Sequence, residues 1–263
     1  RLYHPGNGTA YMVMDFEEGS SLADWLQRSD APPDEAWLRR LVVPVLEGLR
    51  EVHRKRFLHR DIKPSNIFLR EDGPPCLIDF GAAEVELGSS RDSANVLTHG
   101  YAPIEQYGHR GPLGPASDLY ALGATLYRCI SGRLPTDARV RQRALADGRG
   151  EPMRAARVIG RGRYTRELLE LVDWMTALRP EDRPRSVDQV LARLGAEGGE
   201  RAGGQPAGGL QLHQRLLFVG TEGAGKRSAM GALCDGPLAT RDARFAFGSQ
   251  APPGEVLSYG RLL

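Results

Sequence analysis

A mainly α fold, followed by an incomplete α/β segment, is what this sequence predicts, and three observations carry the prediction. Apolar residues recur at near-3.6 spacing in long stretches between residues 34 and 194. The run GAEGGERAGGQPAGG, residues 195–209, has almost nothing to bury and divides the chain. Beyond it, RLLFVG is a strand candidate entering a glycine loop, but only residues 210–263 remain, short for an independent domain.

The elements follow in order. The turn-forming HPGNGT leads into YMVMDF, Tyr11 to Phe16, which reads as a strand entered from a hairpin. Ser21, with Asp24 three residues on, is a capped start for a helix through LADWLQR. A longer helix is predicted from about Asp34 to His53, with Leu38, Leu41, Val42, Val45, Leu46, Leu49 and Val52 on one face and a kink at Pro44. From Cys76, CLID looks like a buried strand ending in a turn, and the aperiodic residues 82–115 read as a loop. Ala116 to Ile130 is apolar nearly all round, the mark of a core helix, and Gly132 suits its C-terminal cap. Thr165 opens another helix, and Ser186 with Gln189 forms a capping box before VDQVLARL.

Composition excludes several classes. A net charge of +2 gives no reason to expect nucleic acid as a partner, and the run His53-Arg54-Lys55-Arg56 reads as a solvated helix end. The three cysteines, Cys76, Cys129 and Cys234, lack metal-ligand spacing and fit reduced thiols. No apolar run approaches the ~20 residues that span a bilayer, so the chain is expected to be cytoplasmic.

The chemistry concentrates in HRDIKPSN. Asp61, Lys63 and Asn66 bring a carboxylate, a cation and an amide into one loop, and phosphoryl transfer needs that mixture. The carboxylate orients a hydroxyl and takes its proton, the cation steadies phosphoryl oxygens, and the amide oxygen ligates magnesium. Thirteen residues after Asn66, Asp79 heads DFG at the end of an apolar strand, where a second magnesium ligand is expected. Either tripeptide alone is weak, but the two in this order and separation are specific.

On these motifs, residues 10–194 resemble the large lobe of bacterial eukaryotic-like serine/threonine protein kinases. The resemblance implies a protein-kinase-like C-terminal lobe with a hinge, and ATP and Mg2+ as cofactors. It makes Asp61 the catalytic base, Lys63 the lysine typical of Ser/Thr specificity, and Asn66 and Asp79 the magnesium ligands. It also implies control through Arg60 by a phosphate on the activation loop, for which Ser89, Ser90 and Ser93 are candidates. THGYAPIEQY looks like the end of the activation segment, with Thr98 contacting the base and the lysine and Glu105 pairing with Arg183. Asp118 should receive backbone N–H groups of the catalytic loop. VMDFEEG resembles the hinge, with Met14 as gatekeeper and the backbone of Asp15 and Glu17 facing adenine.

A complete kinase also needs a glycine loop and a strand lysine over the phosphates. The only lysines here are Lys55, Lys63 and Lys226, none of them before the hinge. The chain is therefore expected to be part of a longer gene product and to have little activity alone. Past the linker, GTEGAGKRS looks like a phosphate-binding P-loop, with Gly220 and Gly225 shaping it and Lys226 reaching the phosphates of a nucleotide such as GTP. Arg227 stands where the magnesium hydroxyl belongs, a departure from that pattern. VLSYGRLL is similar to a strand of small GTPases.

The organisation read from the sequence is thus 1–16 as the last small-lobe strands and hinge, 17–194 as the large lobe, 195–209 as linker and 210–263 as an incomplete P-loop segment. The leading expectation is transfer of the ATP γ-phosphate to Ser/Thr hydroxyls of a protein, with a dimer for trans-phosphorylation as a candidate assembly. A non-catalytic kinase-fold scaffold and a GTP-responsive P-loop switch are kept open as alternatives.

Overall fold

The structure, a computed structural model, describes residues 18–80, 98–108 and 113–195, together with the backbone of 2–4, 9–11 and 84–85. The hinge residues Met14, Asp15 and Glu17, the serines Ser89, Ser90 and Ser93, and the P-loop residues Gly220, Gly225 and Lys226 lie outside the described residues.

The first strands, β1 (Leu2–His4) and β2 (Thr9–Tyr11), form an antiparallel hairpin with Leu2 opposite Tyr11. The hairpin read from HPGNGT is therefore present, although of YMVMDF only Tyr11 is described. A three-stranded antiparallel sheet follows in the order β3 (Gly19–Ser21), β5 (Ile67–Arg70), β6 (Cys76–Leu77). Strand β4 (Phe57–Leu58) pairs with β7 (Glu84–Val85), Phe57 opposite Val85. Loop 59–66 is thereby anchored by paired strands at both ends.

Helix α1 (Leu22–Arg28) starts at a complete capping box: the Ser21 hydroxyl accepts from the Asp24 N–H, and the Asp24 carboxylate accepts from the Ser21 N–H. Helix α2 (Glu35–Arg54) is capped by Asp34 and is assigned without a break through Pro44. Its predicted apolar stripe, Leu38 to Val52, is fully buried. Helix α3 (Pro115–Ser131) is buried on nearly every side from Ser117 to Ile130 and ends at Gly132, whose φ of 68° is the left-handed cap conformation. Where α3 meets α6 (Arg166–Met175), a Cβ on Gly123 would lie 2.6 Å from Met175 Cβ, so only glycine lets the two helices approach this closely.

Helices α4 (Ala138–Ala146) and α5 (Ala156–Ile159) and the short strands β3, β4 and β7 were not expected from the sequence. Residues 82–115, read as a loop, hold β7 and a 3-10 turn, Ile104–Tyr107. Helix α7 (Val187–Gly195) is capped differently from the expected box. The Ser186 hydroxyl accepts from the Gln189 N–H, but the Gln189 side chain reaches past Ser186 to the N–H of Arg185. Among the described residues no helix is long and apolar enough to cross a membrane.

Candidate active site

A loop, a 3-10 turn and a paired strand bring the predicted residues together. Asp61 leaves β4 in an extended loop, Pro64–Asn66 forms a 3-10 turn, and β5 begins at once. The Asn66 N–H donates to the Lys63 carbonyl, which closes the turn. Pairing of Ile67 with Leu77, and the 2.9 Å bond from the Ile78 N–H to the Asn66 carbonyl, set Asp79 beside Asn66.

Asp61 is the hub. Its Oδ2 lies 2.7 Å from Lys63 Nζ and accepts from Asn66 Nδ2 at 3.0 Å, and its Oδ1 accepts from the Thr98 hydroxyl at 2.9 Å. Lys63 also donates to Thr98 Oγ1 at 3.0 Å, which ties loop 59–66 to the segment 98–107. The side chains of Lys63 and Asp61 are 24% and 20% exposed, so a reacting group can reach them from solvent. Asn66, itself buried, is committed as a donor, to the Asp61 carbonyl at 2.7 Å and to its carboxylate, which leaves Oδ1 as its acceptor end; that oxygen takes the Ser65 hydroxyl at 3.5 Å and keeps a second lone pair.

That orientation bears on magnesium. An amide oxygen from Asn66 and a carboxylate from Asp79 are hard oxygen donors, and two such ligands suffice for an ion that keeps several waters and takes phosphate oxygens. Among the described residues no cluster of three or more His, Cys, Asp or Glu forms a denser metal cage. The donor set therefore fits magnesium shared with a phosphate better than a closed structural site.

Beneath the hub, the loop is fixed by buried groups. Asp118, fully buried in the first turn of α3, accepts from the N–H of Arg60 on Oδ1 at 2.8 Å and from the N–H of His59 on Oδ2 at 2.9 Å. The expected role of Asp118 is present in full. The same Oδ2 receives His53 Nε2 at 2.8 Å. Burial opposes charge on Asp118, but the bond from His53, the nearby His59 and the Arg60 amide outweigh it and hold its carboxyl below the usual range. Arg60 adopts a left-handed φ of 67°, a strained conformation for a non-glycine residue.

His59 is buried, and its pKa is pushed down by that burial against the pull of Asp118 and other acids. A neutral ring with its proton on Nε2 satisfies both contacts: Nε2 donates to the Ile78 carbonyl at 3.1 Å, and Nδ1 accepts from the Asp61 N–H at 3.4 Å. Phe80 packs against this ring with centroids 4.5 Å apart, which seats the DFG turn in the core, and Asp79 takes a φ of 60°.

The segment after Thr98 is pinned from below. Glu105 and Arg183, both with fully buried side chains, meet in a bidentate pair at 2.7 and 3.2 Å, and Ser117 donates a further bond to Glu105. Asp137, at the cap of α4, accepts from the Tyr107 hydroxyl at 2.8 Å and from Arg139 and lies 3.0 Å from His99. Burial works against that charge, but Arg139, His99 and Tyr107 hold the Asp137 carboxyl far below its ordinary value.

Two contributors were missed. Gln106 donates to the Arg60 carbonyl at 2.9 Å and bridges the segment to the catalytic loop, with no signal in the sequence to reveal it. His53 was read within a solvated basic helix end, whereas its side chain is 9% exposed and paired. Its spacing of four from Leu49 and seven from Leu46 places it on the buried stripe, a signal that was available.

A family model described as the protein kinase domain matches residues 3–193. Serine/threonine-protein kinase F of Synechocystis sp. is 30% identical over 200 residues, covering 74% of this chain and 38% of that protein. Serine/threonine-protein kinase PknA of Nostoc sp. is 37% identical over 143 residues, covering 51% of this chain and 25% of that protein. The chain therefore spans 25% to 38% of the length of these curated relatives. Among solved structures, one described as "PpkA-294 apo form" aligns with a TM-score of 0.57 at 38% identity, covering 68% of this chain and 61% of that chain.

Proposed function

The chain belongs to the protein kinase family, and from that premise we propose that it forms the large lobe of an enzyme that transfers the ATP γ-phosphate to serine and threonine hydroxyls of proteins. The observation that supports this reading is the convergence of Lys63, Asn66 and Thr98 on the two oxygens of Asp61. Asp61 already takes a hydroxyl donor from Thr98. A substrate hydroxyl arriving at the same carboxylate is oriented by it and gives up its proton to it. Lys63 carries the positive charge that faces the transferring phosphoryl oxygens. Asn66 Oδ1 and the Asp79 carboxylate are the oxygens that would hold magnesium, which when bound would neutralise phosphate charge.

The test is phosphotransfer from Mg-ATP to a Ser/Thr protein substrate, measured with the product of the whole gene and with residues 1–263. Turnover is expected from the whole product and lost in Asp61→Asn. Residues 1–263 by themselves are expected to turn over little, because no lysine precedes Lys55 to steady the ATP phosphates. Undiminished turnover in the Asp61→Asn protein would refute the assignment.

A further inference from the structure

Arginine is spread unevenly along this chain, and the excess collects beside the candidate active site. Residues 128–166 hold eleven arginines against three carboxylates, a net charge of +8 in a chain whose total is +2, so the remainder carries −6. Six of the eleven have tasks inside the fold. Arg128 and Arg163 donate to the carbonyls of Gly132 and Ile130 at the C-terminal end of α3, and Arg141 is buried against Glu151. Arg149, Arg157 and Arg166 pair with Asp147, Asp173 and Glu170. Of the other five, Arg133, Arg139 and Arg143 flank the segment 98–107.

Their place is fixed by contacts with that segment. The loop that carries Arg133 runs against Gly100, where a Cβ would lie 2.8 Å from the Pro135 carbonyl and 3.2 Å from Leu134 Cγ. Arg139 lies over the Tyr107 ring, 4.3 Å from its centroid, and Arg143 stands one turn further along the same exposed face of α4. The segment itself begins with Thr98, bonded to Asp61, and the exposed His99. A substrate hydroxyl held at Asp61 therefore has its neighbouring residues beside these arginines.

The negative charge at this rim is turned inward. Asp137, only 13% exposed, spends its oxygens on the Tyr107 hydroxyl, on Arg139 and on His99. Arg133 meets no carboxylate among the described residues, and Arg143 reaches Asp147 only at 3.8 Å. Guanidinium groups left in this state suit carboxylates, whose two oxygens match their planar fork. A lipid surface fits less well. The crest of α4 is Arg139 and Arg143, and the exposed Val140 and Leu145 stand about 140° apart around the helix, so no apolar face is offered to a bilayer.

We infer that the enzyme selects protein substrates with acidic residues beside the phosphorylated serine or threonine, which Arg133, Arg139 and Arg143 bind. The turnover arm of the test rests on the kinase reading; the binding arm does not.

The experiment uses three peptides that share one serine, flanked on both sides by aspartates, by alanines or by lysines. In the whole gene product, kcat/KM for the aspartate peptide should exceed that for the alanine peptide by about tenfold, the order of three exposed ion pairs. Raising the salt about tenfold should bring the ratio towards one. In the double variant Arg133→Glu with Arg143→Glu the order should invert, with the lysine peptide ahead of the aspartate peptide. Arg139 is kept in that variant because it also holds Asp137. Should the double variant fail to fold, the salt dependence of the wild-type ratio decides. In the binding arm, a fluorescein-labelled aspartate peptide should bind residues 1–263 at low salt and about tenfold more weakly in the double variant. Equal kcat/KM for the three peptides, a ratio indifferent to salt, or an unchanged order in the folded double variant would each overturn the inference and leave the kinase reading standing. If the whole product turns over none of the peptides, the binding arm decides, and absent phosphotransfer to protein as well counts against the kinase reading alone. Salt-sensitive binding that weakens in the double variant upholds the surface; equal binding of all three peptides, or capture of residues 1–263 by phosphatidylserine vesicles in preference to the aspartate peptide, overturns it.

Discussion

The proposed function needs a carboxylate aimed at a hydroxyl, and Asp61 is aimed by three side chains with different chemistry. Lys63 pairs with one oxygen at 2.7 Å, Asn66 donates to the same oxygen and Thr98 occupies the other with a hydroxyl. Replacing Asp61 by Asn keeps the shape and removes the proposed base, so phosphotransfer should fall by roughly 10²- to 10⁴-fold with the unfolding midpoint nearly unchanged. The Glu105–Arg183 pair behaves in the opposite way. Both side chains are fully buried, and Arg183 also donates to the carbonyls of Ala177 and Leu178 and lies over the Tyr120 ring. Glu105→Ala strands a buried guanidinium charge and should cost about 3–5 kcal/mol in urea unfolding; a loss below about 1 kcal/mol would show the pair to be dispensable. The residues that could be read from the sequence stand in one short stretch or in motifs that resemble a known family, as Asp79, Thr98, Glu105, Asp118 and Arg183 do. Asp61, Lys63 and Asn66 announce themselves by proximity, whereas Gln106 acts through a bond to a backbone carbonyl, which leaves no pattern. His53 was legible by its spacing but concealed by the three basic residues that follow it.

At the scale of elements, α3 is the post on which the rest is mounted. It carries Asp118 in its first turn, packs against α5 and α6 along its length, and comes closest to α6 at Gly123. Gly123→Ala places a methyl 2.6 Å from Met175 Cβ and 3.2 Å from Thr176 Cγ2, neither at the end of a long flexible chain. The helices must then part, and overpacking of this kind costs about 1–3 kcal/mol. Thermal unfolding of the variant measures it, and an unchanged midpoint would mean that α6 yields freely. Helices α2, α6 and α7 could be read because their buried faces are mostly Leu and Val at helical spacing, and α3 because it is apolar nearly all round. Helix α4 could not, for a physical reason. Its buried positions are Ala138, Arg141 and Ala144, two small residues and an arginine bound to Glu151, Tyr120 and the Thr176 carbonyl. That face is specified by ion pairing and close approach, so no apolar period marks it. Strands β3, β4 and β7 are two or three residues long, below the length at which alternation shows.

For the whole molecule, the buried titratable groups set how stability depends on pH, and they do so in two steps. His59 is held neutral by burial, below its ordinary value of 6.5. In the unfolded chain the same ring takes up a proton as pH falls below 6.5, so the unfolded state binds more protons and gains on the folded one. Its contribution is therefore complete above about pH 6.5 and erodes below it. Asp118 and Glu35 follow later, since their carboxyls are held below ordinary values of 3.8 and 4.5. For Glu35, burial opposes the shift, and bonds from Thr165 and Arg39 overcome it. A group lowered in this way contributes stability above its unfolded value and loses it as pH falls through the folded one, so the second loss begins near pH 4. Urea unfolding across pH 8 to 3 should show a plateau, a shallow decline starting near pH 6.5, and a steeper one below about pH 4. His59→Phe cannot titrate, so it should remove the shallow limb and leave the steep one, at the cost of a lower plateau from the lost bond to the Ile78 carbonyl. A shallow limb that persists in the variant would mean that another group in the core, and not His59, takes up the first proton.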